Sequence, residues 1–333
     1  MGLTYASYPP LFRPLETQTQ DTFEPENSAK QIPNSSDPLP LIDLQCLDPE
    51  KLREACTDWG IFRLVNHGIP PTLLEKLQEH TRTIFSIPFE SKKALFKSPL
   101  LGYFWGTPLL TQSAVALSRG TNNIDWVEGF SVPLSQLSEL QPQDSVIASF
   151  RLILEEYKEH LSRLATTLFK AMAKDLNLDL SRHNTYLSES TGFLRLYRYP
   201  QCSMADQNWG MEVHTDSSVL SILLQDEVGG LEAVKDNKWF NVDPIPNSLI
   251  VNIGDMMQAM SNDEYKSATH RVNLNKHKDR ISICYFVFPA DAHVILSSKY
   301  KPFTYNDFRA QVQEDTKNLG FKVGLDRFKV LHD

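Results

Sequence analysis

The chain has 333 residues, with 33 Lys and Arg against 41 Asp and Glu, a net charge of -8 that excludes a basic nucleic-acid footprint. That length gives one large domain or two small ones an ample core. No apolar run reaches membrane-spanning length, and the N-terminus lacks a basic region followed by an apolar stretch, so neither a membrane segment nor a signal peptide is expected.

Residues 1–38 are rich in Pro, Ser, Gln and Asn without periodicity and read as a loose arm. LPLIDL, from Leu39, reads as a first strand. Asp48-Pro49 then opens a helix that Gly60 stops. IFRLVNHG, from Ile61, is a strand ending in a turn, and His67 is a turn or core histidine. A helix from Pro70 to about Phe85 follows, with Leu73, Leu74, Leu77 and Ile84 near helical spacing. Residues 89–132 are the least regular part, aromatic and punctuated by Gly and Pro, and read as loops. Residues 145–176 repeat apolar side chains at helical spacing, from Phe150 through Leu161 to Met172, and predict a long scaffold helix.

From Gly192 the pattern changes to strands. FLRLYRY, SVLSILLQD, LEAVKD, KWFNV, SLIVNIGD, ATHRVNL, RISICYFVF and AHVILSS follow in turn, with turns at Gly229-Gly230 and Asp236-Asn237. Many short strands at near-regular spacing suggest a sandwich or barrel in a mixed α/β fold. Thr304 and Asp307 form a capping box before a last helix that Gly320 ends. There is no internal repeat, and Gly229-Gly230 lacks the Lys-Ser or Lys-Thr of a nucleotide loop. Four scattered cysteines (Cys46, Cys56, Cys202, Cys284) without a CxxC pair fit reduced thiols in a soluble, cytoplasmic protein.

The chemistry concentrates at VHTDSS. His214 and Asp216 stand two apart where an apolar strand begins, and side chains two apart on a strand share a face. His270 follows in the strand-like run YKSATHRVNL. Two imidazoles and a carboxylate with no thiolate form the ligand set of the facial triad that holds non-haem Fe(II). Beyond a polar turn, Arg280 and Ser282 again share a face and form a clamp for a carboxylate, bidentate from the guanidinium. Glu212 has the same parity as His214 and Asp216. On a regular strand it points into the cavity, as a contact to a substrate hydroxyl or as a proton donor.

This combination resembles the plant-type 2-oxoglutarate- and Fe(II)-dependent dioxygenases, over roughly residues 39–328. It includes DWGIFRLVNHGI from Asp58, YP at Tyr199 and Pro200, and VGGLEAVKDNKWFNVDPIPNSLIVNIGD from Val228. QVQED and the closing KVGLDRF are similar to the end of the gibberellin 2-oxidases. The resemblance implies a double-stranded β-helix (jelly-roll) core with N-terminal and flanking helices. It divides the chain into the arm, an N-terminal region with pocket loops (39–140), and a part holding the scaffold helix, catalytic core and last helix (141–333).

It also implies Fe(II) on His214, Asp216 and His270, and 2-oxoglutarate held by Arg280, Ser282 and Tyr199. Molecular oxygen and a small molecule would be the other partners, with no nucleic acid and no membrane. The cosubstrate would be decarboxylated to succinate as a substrate C–H is oxidised. Residues 89–132 would supply part of the pocket wall, with Tyr103, Trp105, Trp126 and Tyr197 as candidate substrate contacts. The family commonly has Asn two residues before the cosubstrate Tyr, where this chain has Tyr197. A gibberellin-like diterpenoid acid leads among substrates, and its carboxylate asks for a second basic residue, Arg195 or Arg198. The alternatives are a flavonoid or alkaloid, net hydration of a gibberellin alkene with Glu212 as proton donor, and a catalytically silent ligand-binding jelly roll. The sequence specifies no oligomeric state.

Overall fold

The structure, a computed structural model, describes residues 5–13, 38–95, 102–106, 124–139 and 145–330. After strand β1 (Leu41–Asp43), helix α1 (Pro49–Glu54) starts at Asp48, whose carboxylate accepts the N–H groups of Glu50 and Lys51. A π-helical turn, Ala55–Trp59, continues it to Gly60. Gly60 has φ +68°, and a Cβ there would lie 2.1 Å from the Lys266 carbonyl oxygen, so both conformation and space demand glycine. Strand β2 (Ile61–Val65) and helix α2 (Pro71–Ser86) follow. His67, in the turn between them, is buried, and its Nδ1 accepts the Ile69 N–H.

Helix α3 (Phe89–Leu95) and strands β3 (Gly102–Trp105) and β4 (Glu128–Pro133) occupy part of the stretch expected to be loops. Their alternation is hard to see in sequence because both faces of β4 are buried and Glu128 faces an internal ion-pair cluster. Residues 96–101 and 107–123 of that stretch lie outside the described residues. Helix α4 (Ser145–Asp175) and the short α5 (His183–Tyr186) lead to β5 (Ser188–Tyr199). Then come β6 (Trp209–His214), β7 (Leu220–Gln225), β8 (Leu231–Lys235), β9 (Lys238–Asn241), β10 (Leu249–Ile253) and α6 (Asp255–Met260). Strands β11 (His270–Asn273), β12 (Arg280–Phe288) and the small pair β13 (Val294–Ile295) and β14 (Phe303–Thr304) precede the final helix α7 (Tyr305–Leu319). The Thr304–Asp307 capping box opens α7, and Gly320 at φ +88° closes it.

Eight strands form one sheet in the order β1-β2-β10-β7-β12-β5-β4-β3, antiparallel except for β1 and β2. Four form a second sheet, β6-β11-β8-β9. The two build the jelly-roll core, and regions 39–140 and 141–333 share the larger sheet. Alternation along β12 assigns its two faces. Ile281, Ile283, Tyr285 and Val287 join the large apolar core that takes in Leu77 of α2 and Leu161 and Leu168 of α4. Arg280, Ser282, Cys284 and Phe286 face a cavity of about 470 Å³ lined by both sheets.

The N-terminal arm needs a correction where it is described. Residues 5–13 fold back, with Tyr8 and Phe12 buried. The Tyr8 hydroxyl donates to Asp279 (2.8 Å), and the Phe12 ring lies 4.4 Å from that of Trp126. Two aromatics with tertiary partners order a segment whose composition alone reads as disordered. No helix among the described residues is long and apolar enough to cross a membrane.

Candidate metal and carboxylate site

His214 ends β6 and His270 begins β11, and the two pair directly across the ladder, with ring centroids 4.2 Å apart. Asp216 is not on the same strand as His214. It lies in the turn between β6 and β7, so a change of chain direction, not strand alternation, brings the carboxylate beside the imidazoles. The Nε2 atoms of His214 and His270 stand 3.9 and 3.8 Å from Asp216 Oδ1. Donor atoms of all three lie within 4.8 Å of one another.

The other ring nitrogens are tied to the backbone. His214 Nδ1 is 2.7 Å from the Glu212 carbonyl and His270 Nδ1 is 3.0 Å from that of Ala268. A carbonyl only accepts, so each Nδ1 carries the proton and each Nε2 presents a lone pair to the centre. Burial, followed by the charge of His270, pushes His214 down to about 3, which keeps the ring neutral as a donor must be. Burial would raise Asp216, but His270, His214, Ser221 and Asn252 together pull it below the usual carboxylate range. Asn252 Nδ2 donates to Asp216 Oδ2 at 3.1 Å. Two imidazoles with their Nε2 atoms turned inward and an ionised carboxylate, converging with no thiolate, fit Fe(II) as a facial triad.

Arg280 on β12 is 1% exposed, which demands partners for its charge. Its Nη1 donates to Ser282 Oγ (3.0 Å) and its Nη2 to Gln225 Oε1 (3.3 Å), while Nε has no partner. The guanidinium lies 4.9 Å over the ring of Tyr199, its neighbour across β5. Burial pushes the Tyr199 hydroxyl up to about 12, so it stays a donor. An orphaned cation edge beside two hydroxyls fits the distal carboxylate of 2-oxoglutarate.

Alternation along β5 places Phe193, Arg195, Tyr197 and Tyr199 on the cavity wall. Of the four aromatic candidates, Tyr197 alone lines the cavity. Tyr103 faces away and donates to Glu128 (2.5 Å), Trp105 packs on Phe12 and Phe89, and Trp126 packs on Phe12. On β3 it is Phe104, between Tyr103 and Trp105, that meets Tyr197. Arg198 also faces away, bound to Glu128 and to Ser7. Glu212 lies in β6 and lines the cavity, but the strand is not regular there. Met211 pairs with Val272 and His214 with His270, so Glu212 and Val213 together face one residue, a β-bulge.

Sequence reading missed Asn252, Asp125 and Lys322. Asn252, a polar residue inside the apolar run SLIVNIGD, carried a signal. Asp125 accepts the Glu212 N–H (2.8 Å), and Lys322 binds the Thr215 carbonyl (2.6 Å); both act through the backbone, which no side-chain motif records. All four cysteines are free, and Cys284 lines the cavity.

Comparison with known proteins agrees with this geometry. The 2OG-Fe(II) oxygenase superfamily profile matches residues 190–289, and the profile for "non-haem dioxygenase in morphine synthesis N-terminal" matches 39–146. Gibberellin 2-beta-dioxygenase 6 of Oryza sativa subsp. japonica is 37% identical, over 87% of this chain and 84% of its own. Gibberellin 2-beta-dioxygenase 8 of Arabidopsis thaliana is 38% identical, over 87% and 86%. Among solved structures, JOX2 in complex with 2OG, Fe and JA superposes with a TM-score of 0.70 at 30% identity, covering 82% of this chain and 84% of that one.

Proposed function

The chain belongs to the 2OG-Fe(II) oxygenases, and from that premise we propose that it oxidises a gibberellin-type diterpenoid acid in hormone metabolism or inactivation. It is a dioxygenase that uses Fe(II) and 2-oxoglutarate. The observation that carries the substrate reading is near-full-length identity of 37% and 38% to two gibberellin 2-beta-dioxygenases. The cavity, about 470 Å³ with apolar and aromatic side chains such as Phe193, Leu223, Leu231 and Phe286 beside the polar groups of the triad and clamp, supports it. Four free cysteines support a cytoplasmic location.

In this reading His214, Asp216 and His270 hold the iron, and Arg280 with Ser282 and Tyr199 holds the distal carboxylate of the cosubstrate. The chemistry that bound Fe(II) and 2-oxoglutarate supply is activation of oxygen for C–H oxidation, with succinate and carbon dioxide released. The chain's own residues do the positioning. Asn252 fixes the Asp216 carboxylate, the backbone carbonyls of Glu212 and Ala268 fix the imidazole tautomers, and Phe193, Leu223, Leu231 and Phe286 keep water from the reacting carbon.

A second reading, net hydration of a gibberellin alkene, is favoured by one observation: Glu212 lines the cavity two residues from a metal ligand. Succinate release and product identity, measured together on a panel of gibberellins, flavonoids and alkaloids, test both readings. Gibberellin-stimulated release with a hydroxylated product is the expected result. A hydrated product that Glu212→Gln abolishes establishes the second reading. Stimulation by a flavonoid or alkaloid alone rejects the gibberellin assignment, and absence of Fe(II)-dependent release rejects catalysis.

A further inference from the structure

His214 faces the cavity only because β6 is irregular. On β11, His270 and Val272 stand two apart and both line the cavity, as strand alternation requires. Their partners on β6 are His214 and Met211, which stand three apart. On a regular strand a three-residue step would turn one of the two outward. The bulge at Glu212 and Val213 supplies the extra residue that keeps both inside. A bulge leaves backbone groups outside the ladder, and β6 is the edge strand of its sheet, paired with β11. The placement of a metal ligand therefore depends on what holds this bulge from the open edge.

The hold comes from a segment 87 residues earlier in the chain. The Glu212 N–H donates to Asp125 Oδ1 at 2.8 Å. The next residue, Trp126, donates its backbone N–H to the Trp209 carbonyl at 2.9 Å. Two consecutive residues thus grip β6 at its start and at its bulge. Asp125 is 4% exposed, so little water competes for the carboxylate. Its segment runs straight into β4 of the large sheet, and Phe12 of the docked N-terminal segment packs on the Trp126 ring. The hold passes on within one residue. While the Glu212 N–H is bound to Asp125, the Glu212 carbonyl accepts the Nδ1–H of His214 at 2.7 Å.

We propose that Asp125 is a positioning residue for the metal centre: by accepting the Glu212 N–H it pins the bulge in β6 and, through the Glu212 carbonyl, holds His214 with Nε2 turned to the metal. The inference rests on reading His214, Asp216 and His270 as the iron ligands. It adds that the segment before β4, which belongs to the other sheet, sets the geometry of one of them. A slip of β6 by one residue would bring Val213 opposite His270 and turn the imidazole out of the cavity. The carboxylate serves as an acceptor, so an amide of the same shape can replace it.

The test uses the full-length apoprotein with isotope-labelled histidines, in which long-range proton–nitrogen NMR spectra read each ring tautomer without metal or turnover. The His214 signals are those missing from His214→Ala. In wild type His214 should be the Nδ1–H tautomer, and in Asp125→Ala the ring should average between tautomers. Anaerobic titration with Fe(II) alone should show an affinity lower by roughly tenfold to a hundredfold in Asp125→Ala, the usual effect of losing a group that orients a ligand. Asp125→Asn keeps the acceptor and should restore both readings. A residue with a merely structural role would lower stability to urea and leave both readings alone, so that result in Asp125→Ala overturns the proposal. An averaging His214 ring in wild type overturns it too. If Asp125→Ala does not fold, Asp125→Asn decides: the wild-type tautomer and Fe(II) affinity support the proposal, and loss of either overturns it. Failure of wild type to bind Fe(II) removes the iron assignment itself, whereas equal binding by wild type and Asp125→Ala removes only the role of Asp125.

Discussion

At the scale of single residues, the orphaned Arg280 Nε makes a sharp prediction. Arg280→Lys keeps a positive charge but loses the planar fork and the bond to Ser282. The 2-oxoglutarate concentration for half-maximal succinate release should rise about thirtyfold or more, from roughly 2–5 kcal/mol for a broken buried charge pair. Fe(II) stoichiometry, measured by metal analysis, should not change. An unchanged 2-oxoglutarate requirement would place the clamp elsewhere. The triad residues were legible in sequence from the spacing in VHTDSS and the later His270, and Arg280 and Ser282 from their two-residue step on β12. The substrate side was less legible. Tyr103, Trp105 and Trp126 are aromatic and near the right place, yet each faces away from the cavity. For Tyr103 and Trp105 strand parity decides that, and the sequence does not reveal the parity of an edge strand whose two faces are both apolar; Trp126 lies in a bend before β4.

At the scale of elements, the turn that carries Asp216 is held from two directions. The start of α6 closes one side, where the Asp255 N–H donates to the Asp216 carbonyl (2.8 Å) and Met256 N–H to that of Ser218 (3.1 Å). Gly254 is required for that approach, because a Cβ there would lie 2.0 Å from the Ser218 carbonyl oxygen. From the other side comes the tail after α7. Lys322 Nζ donates to the Thr215 carbonyl (2.6 Å), to Ser217 Oγ (3.2 Å) and to the Asp255 carboxylate (2.6 Å). Lys322→Met leaves Asp255 unpaired and frees the turn. Losing one charged hydrogen bond costs roughly 1.5–3 kcal/mol, so Fe(II) affinity should fall about tenfold or more. An anaerobic Fe(II) titration checks this, with Lys322→Arg restoring much of the affinity; wild-type affinity in Lys322→Met would show the tail to be irrelevant to the metal. Sequence reading placed His214 and Asp216 on one strand by counting alternation. The spacing was right but the cause was not, because a His-x-Asp step has the same length on a strand as across a strand end. The closing KVGLDRF was legible as a likeness, while its hold on the metal turn, through the Thr215 carbonyl, Ser217 Oγ and the Asp255 carboxylate, was not.

At the scale of the whole molecule, the eight-stranded sheet separates two environments. One face carries the cavity and the other carries helices α2 and α4 and the docked N-terminal segment. On that second face Glu128 is fully buried and binds Lys92 (2.6 Å), Arg198 and the Tyr103 hydroxyl. Lys92 and Arg198 also donate to the Ser7 carbonyl, at 2.8 Å each, which ties residues 5–13 to the sheet. Glu128→Ala leaves two cations buried with their shared anion gone. Destabilisation of about 3–5 kcal/mol is expected from urea unfolding. The folded variant should still bind one Fe(II), because the cluster and the triad lie on opposite faces. A stability within 1 kcal/mol of wild type, at about the size of a surface pair, would mean the cluster is solvated. The strand-rich second half and the long scaffold helix were legible from periodicity. The docked arm was not, because Tyr8 and Phe12 are ordered by Asp279 and Trp126, more than a hundred residues away.

The account as a whole depends on one centre that holds both iron and cosubstrate. An anaerobic titration of the protein with Fe(II) and 2-oxoglutarate, followed by the visible charge-transfer absorption of the chelate, tests it directly. Wild type should develop the band at one Fe(II) and one 2-oxoglutarate per chain, and Asp216→Ala should develop none at the same concentrations. A band of wild-type intensity and midpoint in Asp216→Ala would contradict the assignment of His214, Asp216 and His270 as the iron ligands.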